Sequence, residues 1–145
     1  MKKALILSVL VMFSLFAVSS AFAGKCPQPR KTKSAPAGTA RTDKTAKANA
    51  ANGEKIYMKK AKPMACQMCH GKKGDGTGKL GKAFKPPKAP RNFTCAATMK
   101  KVSAGQMFWI IKNGSKGTGM VAHKKTLKDK EIWDVVKYIR STFVK

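Results

Sequence analysis

Acidic side chains are scarce in this chain of 145 residues. Six Asp and Glu stand against 31 Lys and Arg, and the formal net charge is +25. A charge of that size argues for anionic partners met in fast, salt-sensitive encounters. Histidine is scarcer still: there are two, His70 and His123. Of the four cysteines, Cys26 and Cys95 stand alone in the sequence. A four-coordinate zinc site at Cys66 and Cys69 therefore lacks its second ligand pair. Strand-period alternation is missing between the helical patterns, which excludes a β-rich fold. No apolar run beyond the first 23 residues is long enough to cross a bilayer.

Those first residues, 1–23, read as a cleaved signal peptide. Lys2 and Lys3 form a positive start, Ala4 to Val18 an apolar stretch, and Ala21-Phe22-Ala23 a small-residue cleavage site. The apolar stretch is short for a permanent anchor of ~20 residues. Cys26 follows Lys25 rather than a small residue, which argues against a lipoprotein. The expectation is a protein exported to a bacterial periplasm and soluble after cleavage.

Cys66-Gln67-Met68-Cys69-His70 is the decisive motif. C-x-x-C-H is the attachment signature of c-type haem. The two thiols are spaced to reach both vinyl groups of one porphyrin as thioethers, and the histidine then falls under the iron. A thioredoxin-like redox pair shares the C-x-x-C but wants a βαβ context. The segments flanking Cys66 look helical and rich in Gly and Lys instead. The expected cofactor is one covalent haem c.

Residues 24–47 carry Lys, Arg, Ala, Thr and Pro with one acid, Asp43, and no aromatic residue. They are expected to form a basic disordered arm, either a tether or a plain linker. Residues 48–145 are expected to form one all-α domain. Gly53, Ile56 and Tyr57 share a helical face before the haem motif. Ser103-x-x-Gln106 is a capping box ahead of Met107, Ile110 and Ile111, and Asn113-Gly114 stops that pattern. The last helix aligns Ile132, Val135, Val136, Ile139 and Phe143, with Thr126 chemically a better cap than Lys128. Long loops rich in Gly and Pro, from Gly71 to Pro90, suit a chain that wraps a flat cofactor.

Taken in order, these segments resemble a class I cytochrome c, a small soluble monohaem protein. Asn52 to Tyr57 is similar to the family's N-terminal helix and Cys66 to Gly71 to its haem motif. Gly117-Thr118-Gly119-Met120 is similar to its distal-ligand loop, and Ile132 to Arg140 to its C-terminal helix. The resemblance implies a cytochrome c-like helical domain. In it Cys66 and Cys69 hold the haem, His70 is the proximal iron ligand and Met120 the distal one. Thioether ligation raises the potential of the iron. Met58, Met64, Met68, Met99 and Met107 are rivals for that place, although most methionines fill cores. Val121 stands where the family often has Pro, which loosens the loop. His123 is close enough to compete, or is an exposed loop residue. The family also implies a backbone carbonyl accepting from the proximal histidine, with Pro87 and Pro90 as candidates. The Gly53 and Tyr57 face is implied to contact the last helix near Trp133 and Tyr138, as packing. Cys26 and Cys95 form a disulfide, stay free or pair between molecules.

The function these readings favour is one-electron transfer between exported redox proteins by a monomer that is not an enzyme. Acidic redox partners dock on its lysines, and the arm can touch an anionic membrane surface. Nucleic acid is not expected for an exported haem protein. Two alternatives compete. One is a haem subunit or docking module of a larger oxidoreductase. The other is a ligand-binding or peroxidase-like protein with an open sixth site.

Overall fold

The computed structural model describes residues 26–28 and 32–145. The expected signal peptide, 1–23, lies outside them. Among the described residues six α-helices run in chain order: α1 Ala37–Arg41, α2 Ala50–Lys55, α3 Gln67–His70, α4 Ala96–Met99, α5 Ala104–Asn113 and α6 Asp129–Thr142. A π turn, Ile56–Lys60, extends α2, and 3-10 turns cover Thr45–Lys47 and Gly81–Ala83. Among the described residues there is no strand, and the fold is all-α, as expected.

α6 is the spine of the domain. Ile132, Val135, Val136 and Ile139 are buried on the expected face, with Phe143 just past the helix end. Its cap departs from expectation. Lys128 holds the N-cap position, and its N–H donates to the Glu131 carboxylate at 2.8 Å. Thr126 instead donates its hydroxyl to the Lys62 carbonyl, 3.0 Å away.

α2 crosses α6 with almost no space between their backbones. A Cβ at Gly53 would sit 2.0 Å from the Asp134 carbonyl oxygen, so only glycine permits the crossing. One buried carboxylate holds the crossing from the other side. Asp134 accepts from the Asn49 N–H at 2.7 Å, from the Asn52 amide at 2.8 Å and from Lys130 at 3.4 Å. Burial alone would raise its pKa, but these hydrogen bonds outweigh burial and hold it below the usual carboxylate range. Tyr57 meets Tyr138 at a ring distance of 5.4 Å, the contact expected for that face. Trp133 does not join it. It stacks on Phe108 of α5 at 4.5 Å.

The expectation of a disordered arm is corrected from residue 32 onward. The arm lies against α5. A Cβ at Gly105 would meet the Thr39 carbonyl oxygen at 1.9 Å, so the start of α5 fits directly under the α1 backbone. Ser103 accepts from the Gln106 N–H, as a cap should, and donates to the Ala40 carbonyl. The Gln106 side chain does not complete the capping box. It accepts from Ala35 N–H at 2.8 Å and donates to the Lys33 carbonyl at 3.2 Å. Docking by backbone hydrogen bonds needs no apolar periodicity, so the pattern of the arm carries no trace of it.

Candidate haem-binding site

α3 is a single turn that carries the C-x-x-C-H motif. Its end is closed by the following loop rather than by a side chain. Gly76 N–H donates to the His70 carbonyl, Gly78 N–H to Cys69 and Leu80 N–H to Met68. The Tyr57 hydroxyl donates to the Gly71 carbonyl at 2.7 Å and ties this turn to the helix crossing. Phe93, stacked on the His70 ring at 4.6 Å, continues the aromatic packing toward Phe143.

The His70 ring has a defined proton. Its Nδ1 lies 3.0 Å from the Arg91 carbonyl oxygen. A carbonyl only accepts, so Nδ1 carries the hydrogen and Nε2 keeps a free lone pair. Burial lowers the pKa of the ring, which favours that neutral, ligating form. The acceptor is thus neither Pro87 nor Pro90 but the residue after Pro90, in the same loop.

Cys66 and Cys69 form no disulfide. Burial pushes Cys66 up to about 12 and raises Cys69 as well. A thioredoxin-like nucleophile needs the opposite shift. Among the described residues no three His, Cys, Asp or Glu side chains gather as a metal site, so the zinc reading also lacks ligands.

Beside the motif lies a cavity of about 630 Å³. That is within the ~300–1,000 Å³ typical of cofactor sites. His70 and Cys69 line it with Phe84, Ile110 and the prolines at 86, 87 and 90. Met99, Met107 and Met120 line it too, whereas Met58, Met64 and Met68 do not. Met99 and Met107 are buried core residues on helices, while Met120 comes from a loop. That loop is closed by its own atoms. Ser115 N–H donates to the Met120 carbonyl at 3.0 Å, and the Thr118 hydroxyl bonds Ser115 O and Met120 N–H. These bonds hold the loop although Val121, and not Pro, follows Met120. Ser115 also supplies a buried hydroxyl without a hydrogen-bond partner on the cavity wall. Cys66 is not among the cavity's lining residues, but an apolar slot with the Cys69 thiol, a neutral imidazole and one orphaned hydroxyl suits a haem, whose edge is polar.

His123 is neither exposed nor in this cavity. It is 4% exposed, and its N–H donates to the Ile111 carbonyl from the backbone. The competition with Met120 expected from its position in the sequence is therefore absent from the cavity walls.

Residues 48–139 match the family described as Cytochrome C oxidase, cbb3-type, subunit III, over well more than half of the chain. The chain belongs to that family. It is a monohaem cytochrome c, and its cofactor is covalently bound haem c. No curated protein matches this cytochrome. It is similar to a chain of the Kuenenia stuttgartiensis reducing HAO-like protein complex Kustc0457/Kustc0458, with 29% identity and a TM-score of 0.56. That similarity covers 72% of this chain and 46% of the other, so the cytochrome spans less than half the length of its neighbour. The c-type cytochrome SorU from Sinorhizobium meliloti also matches, at 22% identity and a TM-score of 0.45 over 66% of this chain and 91% of that one.

The sequence reading missed one part of the site. The disulfide Cys26–Cys95 closes in this structure. It brings Pro27 and Gln28, from the supposed arm, onto the cavity wall with Thr32. The pair of solitary cysteines was the available signal.

Proposed function

We propose that the cytochrome is a one-electron carrier whose iron is held by His70 and Met120. The observation that carries this reading is the cavity, which has both side chains in its walls. In this reading Cys66 and Cys69 form the thioethers. His70 presents Nε2 to the iron while Nδ1–H rests on the Arg91 carbonyl. Met120 supplies the thioether sulfur from its hydrogen-bonded loop. The bound haem supplies the Fe(III)/Fe(II) couple. The apolar walls would limit water, and with His70 and Met120 both holding the haem iron a substrate would have no place on it, as suits a carrier rather than an enzyme.

Cations would surround the side of the cavity through which electrons leave a bound haem. Lys79, Lys82, Lys85, Lys88 and Lys116 are exposed on the loops whose neighbours Phe84, Pro86, Pro87 and Met120 line the cavity. An acidic face on a redox partner complements them, and such encounters weaken with salt. No helix among the described residues is long and apolar enough to cross a membrane. With the expected signal peptide, this fits a cytochrome working in the periplasm.

The test is the absorption spectrum of the oxidised and reduced protein beside a Met120→Ala variant. A low-spin spectrum whose methionine–iron charge-transfer band disappears in the variant supports His70–Met120 ligation. A high-spin spectrum, or one the substitution leaves unchanged, overturns it. A second reading, a haem subunit of a larger redox assembly, is favoured by the family's description and by the complex to which the 29%-identical structure belongs. Purification from its native source under mild conditions separates the two: a carrier elutes as a monomer, a subunit with its complex.

A further inference from the structure

Gln28 lies 62 residues or more from the loop it touches, yet its polar groups bond almost entirely to that loop. Its side-chain Nε2 donates to the Pro90 carbonyl at 3.2 Å. Its Oε1 accepts from Asn92 N–H at 2.8 Å. Its backbone carbonyl accepts from the Arg91 guanidinium at 3.3 Å, and its backbone N–H donates to the Thr98 hydroxyl at 2.9 Å. A carbonyl can only accept and an N–H only donate, so these partners fix which end of the amide is oxygen.

Asn92 N–H and the Arg91 carbonyl belong to one peptide unit. The chain of bonds therefore runs from Gln28 Oε1 to Asn92 N–H, through that amide, and from the Arg91 carbonyl to His70 Nδ1–H. Hydrogen bonds in series polarise one another. An acceptor on the N–H side makes the carbonyl oxygen more negative. A more negative oxygen draws the Nδ1 proton and makes the imidazole a stronger donor at Nε2. The disulfide from Cys26 to Cys95 anchors the residue two places before Gln28.

We propose that Gln28 is a positioning residue for His70, acting through the Arg91–Asn92 peptide to strengthen the ligand and favour the ferric state. This rests on the reading of His70 as the proximal ligand. Gln28→Met keeps the bulk of the side chain on the cavity wall and removes both of its polar ends. Thr98→Val removes a different bond of the same residue and leaves the relay intact.

The experiment measures the midpoint potential of the full-length holoprotein and the solvent exchange of the His70 Nδ1 proton by nitrogen-15 NMR of the reduced form. In Gln28→Met the potential rises, so that the ferrous-to-ferric ratio at a fixed poise increases about threefold, and the proton exchanges faster. In Thr98→Val both stay at the wild-type value. Equal shifts in the two variants, or none in Gln28→Met, overturn the role of Gln28 while the spectrum keeps its low-spin form. A wild-type His70 signal without iron coordination overturns the ligand reading itself, and the inference with it.

Discussion

The two walls of the haem cavity are held in different ways. On the His70 side, the partners come from far along the chain: Arg91 from 21 residues away and Gln28 from more than 60 residues before the loop it binds, with a disulfide spanning 69 residues behind it. On the Met120 side, the loop from Ser115 to Met120 bonds to itself. Long-range ties persist only while the whole domain is folded. Local ties can open alone, as a small unit of low stability. The proximal side should therefore fail with the fold, and the distal side before it.

Removing the disulfide tests the first half of that contrast with the largest effect. A cross-link over a loop of this length contributes about 4 kcal/mol in the chain-entropy account. The double variant Cys26→Ser, Cys95→Ser should melt well below the wild type in thermal unfolding, while its methionine–iron band at room temperature is unchanged. Loss of that band in the fully folded variant would show that the two walls are coupled.

Asp134 holds the α2–α6 crossing behind the His70 side, and its effect follows pH. Its folded pKa lies below the ordinary value, so its contribution is present above the unfolded pKa and is lost as pH falls. Thermal stability should therefore decline below about pH 4. Asp134→Asn should lose roughly 1–3 kcal/mol at neutral pH and show a shallower acid decline. A parallel decline in both proteins would assign acid sensitivity to other carboxylates.

Thr118→Val probes the distal loop. It removes two short-range bonds and should weaken the hold on Met120 by about 1 kcal/mol. If Met120 holds the iron as proposed, added imidazole should then displace its sulfur at about fivefold lower concentration, with little change in melting temperature. A large drop in melting temperature would place this loop within the global fold. The smallest effect per residue belongs to the exposed lysines. Electron exchange with an acidic partner should slow steadily with ionic strength, and each charge removed from the group Lys79 to Lys88 should reduce that slope.

The parts of this architecture written in side-chain pattern were legible in the sequence. Cys66, Cys69 and His70 lie in a motif whose spacing is its chemistry, and the α6 face repeats with helical period. The Gly114 stop also appeared where expected, with φ of 72°. What the sequence concealed was held by backbone groups. The Arg91 carbonyl is a peptide atom that every residue possesses, so nothing at that position distinguishes it. The docking of Ala35 and Ala40 on Gln106 and Ser103 is likewise made with backbone atoms. His123 was misplaced because its flanking lysines are exposed while the ring itself turns inward.

The bond between Cys26 and Cys95 also decides which thiols are left unpaired. Four cysteines allow three fully paired arrangements, and two of them consume Cys66 and Cys69 in links to Cys26 and Cys95. The third joins Cys66 to Cys69 and blocks the vinyl chemistry just as surely. Joining Cys26 to Cys95 withdraws both outside competitors and leaves Cys66 and Cys69 with only each other as cysteine partners. The covalent ring so formed encloses the attachment motif in its middle. In an oxidising setting, the bond between Cys26 and Cys95 thus keeps both of those thiols from pairing with Cys66 or Cys69.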